Sequence, residues 1–428
     1  MSERKGMTMN DKKAAVPASQ GIADLPEGFK LTELGPLPEE WQVVRLREVV
    51  SLRKGTIDPQ KAKGHRYVGL EHIQPGNVRL TSWGDPKQVK SSKAVFKSGD
   101  VLFAKLRPYL DKSALAESEG ICSTDILVLT PSKRIDNWYF AFLAHHPFVL
   151  DHAISTMTGV NHPRTSWQAL SAGLIPLPPL LEQRAIAHVL RTVQRAKEAT
   201  ERVIAALKEL KKSLMKHLFT YGPVPLDQAE QVRLKETEIG PVPEHWEVIP
   251  FSESVLNRRV RVGKVKQQDY QPIGQFPIVD QGQTLVAGYW DDPNDVYQGP
   301  LPVIIFGDHT RVFKFVEFPF VCGADGTKVL LPNKSKFDPE FLFFAYLDLK
   351  IPSRGYNRHY RLLREQKLPL PPLPEQREIA HILRVVNQKI EAEENRKQAL
   401  GALFKTLLHH LMTGKVRVGK QDNHRQGG

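Results

Sequence analysis

Two cysteines in 428 residues, Cys122 and Cys322, are too few for a disulfide framework or a four-cysteine zinc site, and they fit a reducing compartment. No apolar run reaches the ~20 residues that cross a bilayer. The polar opening MSERKGMTMNDKKAAVPASQG lacks the apolar stretch of a secretory signal and reads as a flexible tail. A soluble cytoplasmic protein without membrane contact is expected. Catalytic signatures are missing too. There is no GxxxxGK(S/T) phosphate loop and no HExxH metal pair, nor the N/D-P-P-Y/F base clamp of adenine methyltransferases. The PLPPL segments look close to that clamp but offer no polar residue where a target amino group needs an acceptor. Asp338 with Asp348-Leu349-Lys350 mimics a nuclease's acid–acid-x-lysine site, yet falls in the helical pattern PEFLFFAYLDLK. The fifteen histidines include the pairs His145–His146 and His409–His410, but neighbours on a helix cannot face one ligand. Neither catalysis nor a metal or cofactor is expected of this chain.

What is present is ordinary globular material, 41% hydrophobic and 25% charged, with a net charge of +13. Disordered chains carry less apolar residue than this, and the length allows two to four domains. The basic balance favours polyanions, nucleic acid first and anionic membrane second.

The chain also spells itself twice. TELGPLPEEWQVV (Thr32 to Val44) returns as TEIGPVPEHWEVI (Thr237 to Ile249), and PLPPLLEQRAIAHVL (176–190) as PLPPLPEQREIAHIL (369–383). Between these strong repeats lie weaker echoes in the same order: VLFAKLRP with VIIFGDHTR, CSTDILVLTP with CGADGTKVLLP, and YFAFL (Tyr139 to Leu143) with FFAYL (Phe343 to Leu347). A period near 200 residues is a tandem duplication, since solenoids repeat at much shorter intervals. Each copy reads as a globular head of short β-branched and aromatic runs broken by turn clusters, with helical patterns such as WYFAFLAHH. Mixed α+β domains with twisted sheets are expected.

Each head leads into a long helix. PLPPL holds the backbone extended, Pro374 suits a first helical turn, and Glu182 and Glu375 suit its dipole. Apolar residues then recur at spacings of three and four: Ile186, Leu190, Val193, Ile204, Leu207, Leu214 and Leu218, and Ile379, Leu383, Val386, Ile390, Leu400, Phe404, Leu407 and Leu411. This narrow seam suits a coiled coil, with Lys197, Thr200, Lys211 and Glu393 as polar interruptions that set register. About 40 residues at 1.5 Å each make rods of ~60 Å. Two such helices most simply pack against each other, antiparallel and with a pseudo-twofold axis. The alternative is that each folds back on its own head.

Two divergent heads, two near-identical helices and the PLPPLxEQRxIAxxL hinge resemble the DNA-specificity subunit of Type I restriction–modification systems, over about residues 31–415. GDVLFAKLRPYL and GICSTDILVL in the first head are similar to that family's target-recognition sequences, as are IIFGDHTR, GADGTKVL and GYNRHYRLL in the second. The resemblance implies a non-catalytic reader. Each head would read half of a bipartite double-stranded DNA site in the major groove. The helices would fix the gap and dock two methyltransferase subunits, and restriction–translocation subunits would join the complex. The expected layout is a tail (1–30), a first target-recognition domain (31–180), a spacer helix (181–222), a linker (223–236), a second target-recognition domain (237–373), a second spacer helix (374–415) and a tail (416–428). Two other readings are a coiled-coil scaffold with protein- or membrane-binding heads, and a stand-alone nuclease.

Base edges are read by Arg, Lys, Asn and Gln, while further cations sit on phosphates. The first head offers Lys105, Arg107 and Tyr109 in KLRPY, and Asn161, His162 and Arg164 in the loop TGVNHPRTSW. The second offers His309, Arg311 and Lys328, and then Arg354, Asn357, Arg358, His359 and Arg361 in SRGYNRHYR. Four cations over eight residues gain little from crowding unless an anion is present. Asp125 and Asp325, each three residues after a cysteine, are expected to accept from backbone N–H groups, and both cysteines to be buried strand residues.

Overall fold

A computed structural model describes residues 25–62, 64–258, 262–352, 355 and 357–419. The chain divides into two compact units. One runs to Glu198 and resumes at Gln398, and the other spans Ala199–Lys397. The long helices, Leu180–Tyr221 and Leu373–Met412, each contribute to both units.

In the first unit Phe29–Thr32 and Gly35–Pro38 form a hairpin, and Gln42–Arg45 pairs antiparallel with Leu174–Leu177 just before the first long helix. Two four-stranded sheets make the body of the head. One orders Val50–Leu52, Ile126–Pro131, Val101–Ala104 and Ser113–Leu115; the other orders Thr56–Ile57, Lys93–Phe96, Gly120–Cys122 and Arg66–Val68. Helix Asn137–Leu143 begins at Asp136, whose carboxylate accepts from the amides of Trp138 and Tyr139. Its residues Tyr139 to Leu143 are buried in the main core.

The second unit repeats the frame with a different filling. Leu234–Thr237 and Gly240–Pro243 form the hairpin, and Glu247–Pro250 pairs with Lys367–Leu370. Between them lie a four-stranded sheet (Lys264–Val265, Val321–Gly323, Phe276–Val279, Gly288–Trp290) and a three-stranded one (Phe313–Val316, Val303–Gly307, Thr327–Leu330). Cys122 and Cys322 are buried on matching strands, each paired in parallel with a neighbour. Burial pushes the Cys122 thiol up to about 12. The α+β expectation and the duplication both hold.

One echo is corrected. Asp338 caps helix Pro339–Asp348 as Asp136 caps its counterpart, so Tyr139 matches Phe341 and not Phe343. The YFAFL/FFAYL resemblance is two residues out of register. Aromatic residues crowd both helices, and such apolar similarity does not distinguish a shift of half a turn. Asp338, one member of the nuclease-like pattern, is thus a helix cap.

The strong repeats are two parts of one joint. The Trp41 indole donates to Glu182 at 2.9 Å, and the Trp246 indole to Glu375 at 2.8 Å. Beside each glutamate, a wholly buried glutamine holds only backbone. Gln183 accepts from the Asp136 amide at 2.7 Å and donates to the carbonyls of Arg134 and Pro178. Gln376 does the same with Asp338, Lys336 and Pro371. Each long helix therefore starts on its own head.

The helices also pack on each other's elements, in opposite directions. In the first unit Ile186, Ala187 and Leu190 share a core with Leu408, Leu411 and Met412, and Phe142 meets Phe404 at 5.9 Å. In the second unit Leu218 and Phe219 share a core with Ile379, Ala380 and Leu383. Lys208 pairs with Glu394 and Glu201 with Lys397 across the helices. Of the polar seam positions, Thr200 and Glu393 are buried, and Glu393 is neutralised by Lys389 and Arg396 on its own helix.

Candidate nucleic-acid interface

In the first head, strand Val101–Ala104 is entirely buried, and the chain leaves it through Lys105 into a tight turn. Arg107 (φ 50°) and Asp111 (φ 51°) are both left-handed and bracket the turn Pro108–Leu110. The Asp111 carboxylate lies 2.6 Å from Nδ1 of His145, which is buried. Loop 158–164 is stitched alongside. The Arg107 amide donates to Pro163 at 2.8 Å, the Thr165 amide donates to Lys105 at 3.0 Å, and Thr158 and Arg164 exchange both backbone bonds. Lys105, Arg107, Tyr109, Asn161 and Arg164 are thereby gathered at one end of the head, with Arg107 and Asn161 exposed.

Arg164 is committed within the protein. Its guanidinium meets the Asp125 carboxylate at 2.9 and 3.3 Å and holds that carboxyl below the usual range. The expectation for Asp125 is corrected: its carboxylate serves an arginine and not a backbone amide. Asp325 stands exposed, with no hydrogen bond to its carboxylate among the described residues.

The second head builds a comparable end around a residue that sequence reasoning missed. Asp308 follows strand Val303–Gly307 and is buried. Its carboxylate accepts from the Tyr360 amide at 2.7 Å and lies 3.9 Å from Lys328, and its carbonyl accepts from the His359 amide at 2.8 Å. Lys328 also sits over the Tyr360 ring. His309 donates its amide to Gln281, and the Thr310 hydroxyl donates to the Gln281 carbonyl. Arg311 is left-handed (φ 61°) and donates to the Ile351 carbonyl at 2.8 Å. The structure thus brings together His309, Arg311, Lys328, Asn357, Arg358 and Arg361. Arg354 lies outside the described residues.

His359 does not belong to that surface. Its side chain is fully buried, with Nδ1 3.0 Å from the Asp308 carbonyl; it supports the loop from inside. Asn357, Arg358 and Arg361 face solvent, and Arg361 pairs only loosely with Glu365 one turn on. Lys314 was also missed: it is buried against Asp280 at 3.4 Å, and burial pulls its ammonium down against that partner. An apolar strand entering an Asp-His-Thr turn was a signal that could have marked Asp308. Nothing in sequence links Asp111 to His145.

His146 stacks on His409 at 5.8 Å, and burial lowers its imidazole to about 4. Among the described residues no three His, Cys, Asp or Glu side chains group as metal ligands, and no helix is long and apolar enough to cross a membrane.

Similarity to known proteins follows the duplication. A family profile described as the Type I restriction modification DNA specificity domain matches residues 38–209 and 295–402. The putative type I restriction enzyme MjaX specificity subunit of Methanocaldococcus jannaschii is 28% identical over 419 residues, covering 92% of this chain and 97% of the relative. The MjaVIII specificity subunit of the same organism is 23% identical over 427 residues, covering 92% and 96%. The crystal structure of a Type-I restriction-modification system S subunit from M. genitalium shares the fold, with a TM-score of 0.60 at 18% identity over 87% of this chain and 96% of that one. With both halves of the repeat matched, this chain belongs to the Type I restriction–modification DNA specificity domain family.

Proposed function

We propose that this chain is the sequence-specific DNA-reading subunit of a Type I restriction–modification complex. Each head reads half of a bipartite double-stranded site, and methylation and cleavage are carried out by methyltransferase and restriction subunits on other chains. The observation that carries this reading is the twofold occurrence of one device. In each copy a strand leads into a strained turn, and a second loop sets arginines and polar side chains beside it, as at Arg107 with Asn161 and at Arg311 with Arg358. Exposed Arg and Asn are groups that read base edges, and the further cations suit phosphates. Residues 31–180 and 237–373 are proposed as the readers, and 181–222 and 374–415 as the spacer that fixes the gap and docks the methyltransferases.

The test is modular exchange. Replacing residues 31–175 with the first head of another family member is expected to alter one half of the methylated motif and leave the other half intact. A change in both halves, or in neither, would sink the two-reader assignment.

A further inference from the structure

The end of the first head that carries Arg107 and Asn161 also holds three large apolar side chains out in water: Val160 is 96% exposed, Tyr109 50% and Leu110 42%. Single exposed apolar residues are ordinary on any surface. These three, however, sit on two segments that the backbone binds into one piece, through Arg107 to Pro163, Thr165 to Lys105 and the Leu106–Arg164 bridge.

Neither segment is loosely held. Val160 lies at the tip of a hairpin closed by the Thr158–Arg164 pair, both bonds 2.9 Å. Tyr109 and Leu110 lie in a turn bracketed by two non-glycine left-handed residues, a conformation that costs energy and persists only where the surroundings enforce it. The enforcement is visible: His145 holds the Asp111 carboxylate, and the Gly76 amide donates to the Asp111 carbonyl at 2.9 Å. A turn anchored this firmly holds about half of an aromatic and of a leucine in water, and that half gains nothing from the protein's own core.

We propose that Val160, Tyr109 and Leu110 form an apolar ridge by which the first head recognises thymine through its C5 methyl group. The inference rests on the DNA-reading role proposed above. Among the base edges of the major groove, only thymine presents an apolar group. The flanking cations Lys105 and Arg107 suit the phosphates on either side of such a contact. The second head contrasts with the first. The turn after its equivalent strand carries His309 and Thr310 between Asp308 and left-handed Arg311, so it reads with polar groups.

Deoxyuridine lacks only that methyl and isolates the contact. The full chain, in complex with its methyltransferase subunits, is titrated with duplexes of its mapped site. Each thymine in the first head's half-site is replaced by deoxyuridine in turn. At one position or more the wild-type complex is expected to lose roughly fourfold in affinity, the worth of one buried methyl. Val160→Ala, Tyr109→Ala or Leu110→Ala is expected to bind thymine and deoxyuridine duplexes equally at that position, while keeping its preference in the other half-site. A half-site without thymine, a wild type indifferent to every replacement, or three variants that all keep full discrimination would overturn the ridge. Site-specific binding that ignores the methyl defeats this inference alone. A complex that cannot tell its mapped site from a scrambled duplex defeats the DNA-reading proposal, and this inference with it.

Discussion

Gln183 and Gln376 each satisfy three backbone groups from a side chain with no exposed surface. Removing such a side chain leaves buried donors and acceptors without partners, at about 1–3 kcal/mol for each. Gln183→Ala is therefore expected to lower the stability of the first unit by roughly 3 kcal/mol, read as a fall in its urea midpoint. Gln183→Glu should also destabilise, because a carboxylate cannot donate to the Arg134 and Pro178 carbonyls. An unchanged midpoint in both variants would show that these bonds add nothing to folding. Sequence marks the glutamine as part of a repeated helix start. Its partners are backbone atoms up to 49 residues away, and no pattern of side chains records a backbone partner.

Helix Tyr360–Arg364 shows how a short element sorts a crowded motif. The alternation of aromatics and cations in SRGYNRHYR marks the segment as a candidate for DNA contact. The helical turn then faced His359, Leu362 and Leu363 inward and left Arg358 and Arg361 outside. Five residues are too few for periodicity to announce that division, which is why His359 read as a contact. Arg361 is 90% exposed on its side chain and, among the described residues, pairs only with exposed Glu365, an arrangement worth less than ~1 kcal/mol. Arg358→Ala with Arg361→Ala should accordingly leave unfolding unchanged. It should weaken DNA binding and flatten the slope of log K against log salt by up to ~0.9 for each phosphate that is no longer neutralised. An affinity that does not move at two salt concentrations would make this a solvated surface with no role in binding.

For the molecule as a whole, the repeat was legible because its ends are constrained and its middle is not. The hinge and Trp segments meet each other and kept their spelling, whereas the heads between them needed only α+β cores and diverged to sheets of different strand number. If the long helices set the gap between half-sites, lengthening both should lengthen it. Seven residues inserted after Thr200 and seven after Lys397, where Glu201 and Lys397 pair, keep the seam in phase. Each helix gains about 10 Å, or roughly three base pairs at ~3.4 Å. Sequencing methylated sites made by the variant with its methyltransferase partner should show unaltered half-sites and a gap wider by up to about three pairs. Insertion in one helix alone should abolish modification. An active double insertion with its old gap would mean that the partner subunits place the heads.

The glutamine joint has one more consequence. Its bonds end on amides and carbonyls, which every polypeptide owns, and its glutamate ends on a tryptophan from the strand segment that is itself duplicated. The polar part of the fastening therefore asks nothing of the head's other side chains. As a standard mount it would let reading loops drift, or a foreign head be spliced in, without recutting the thread that holds it.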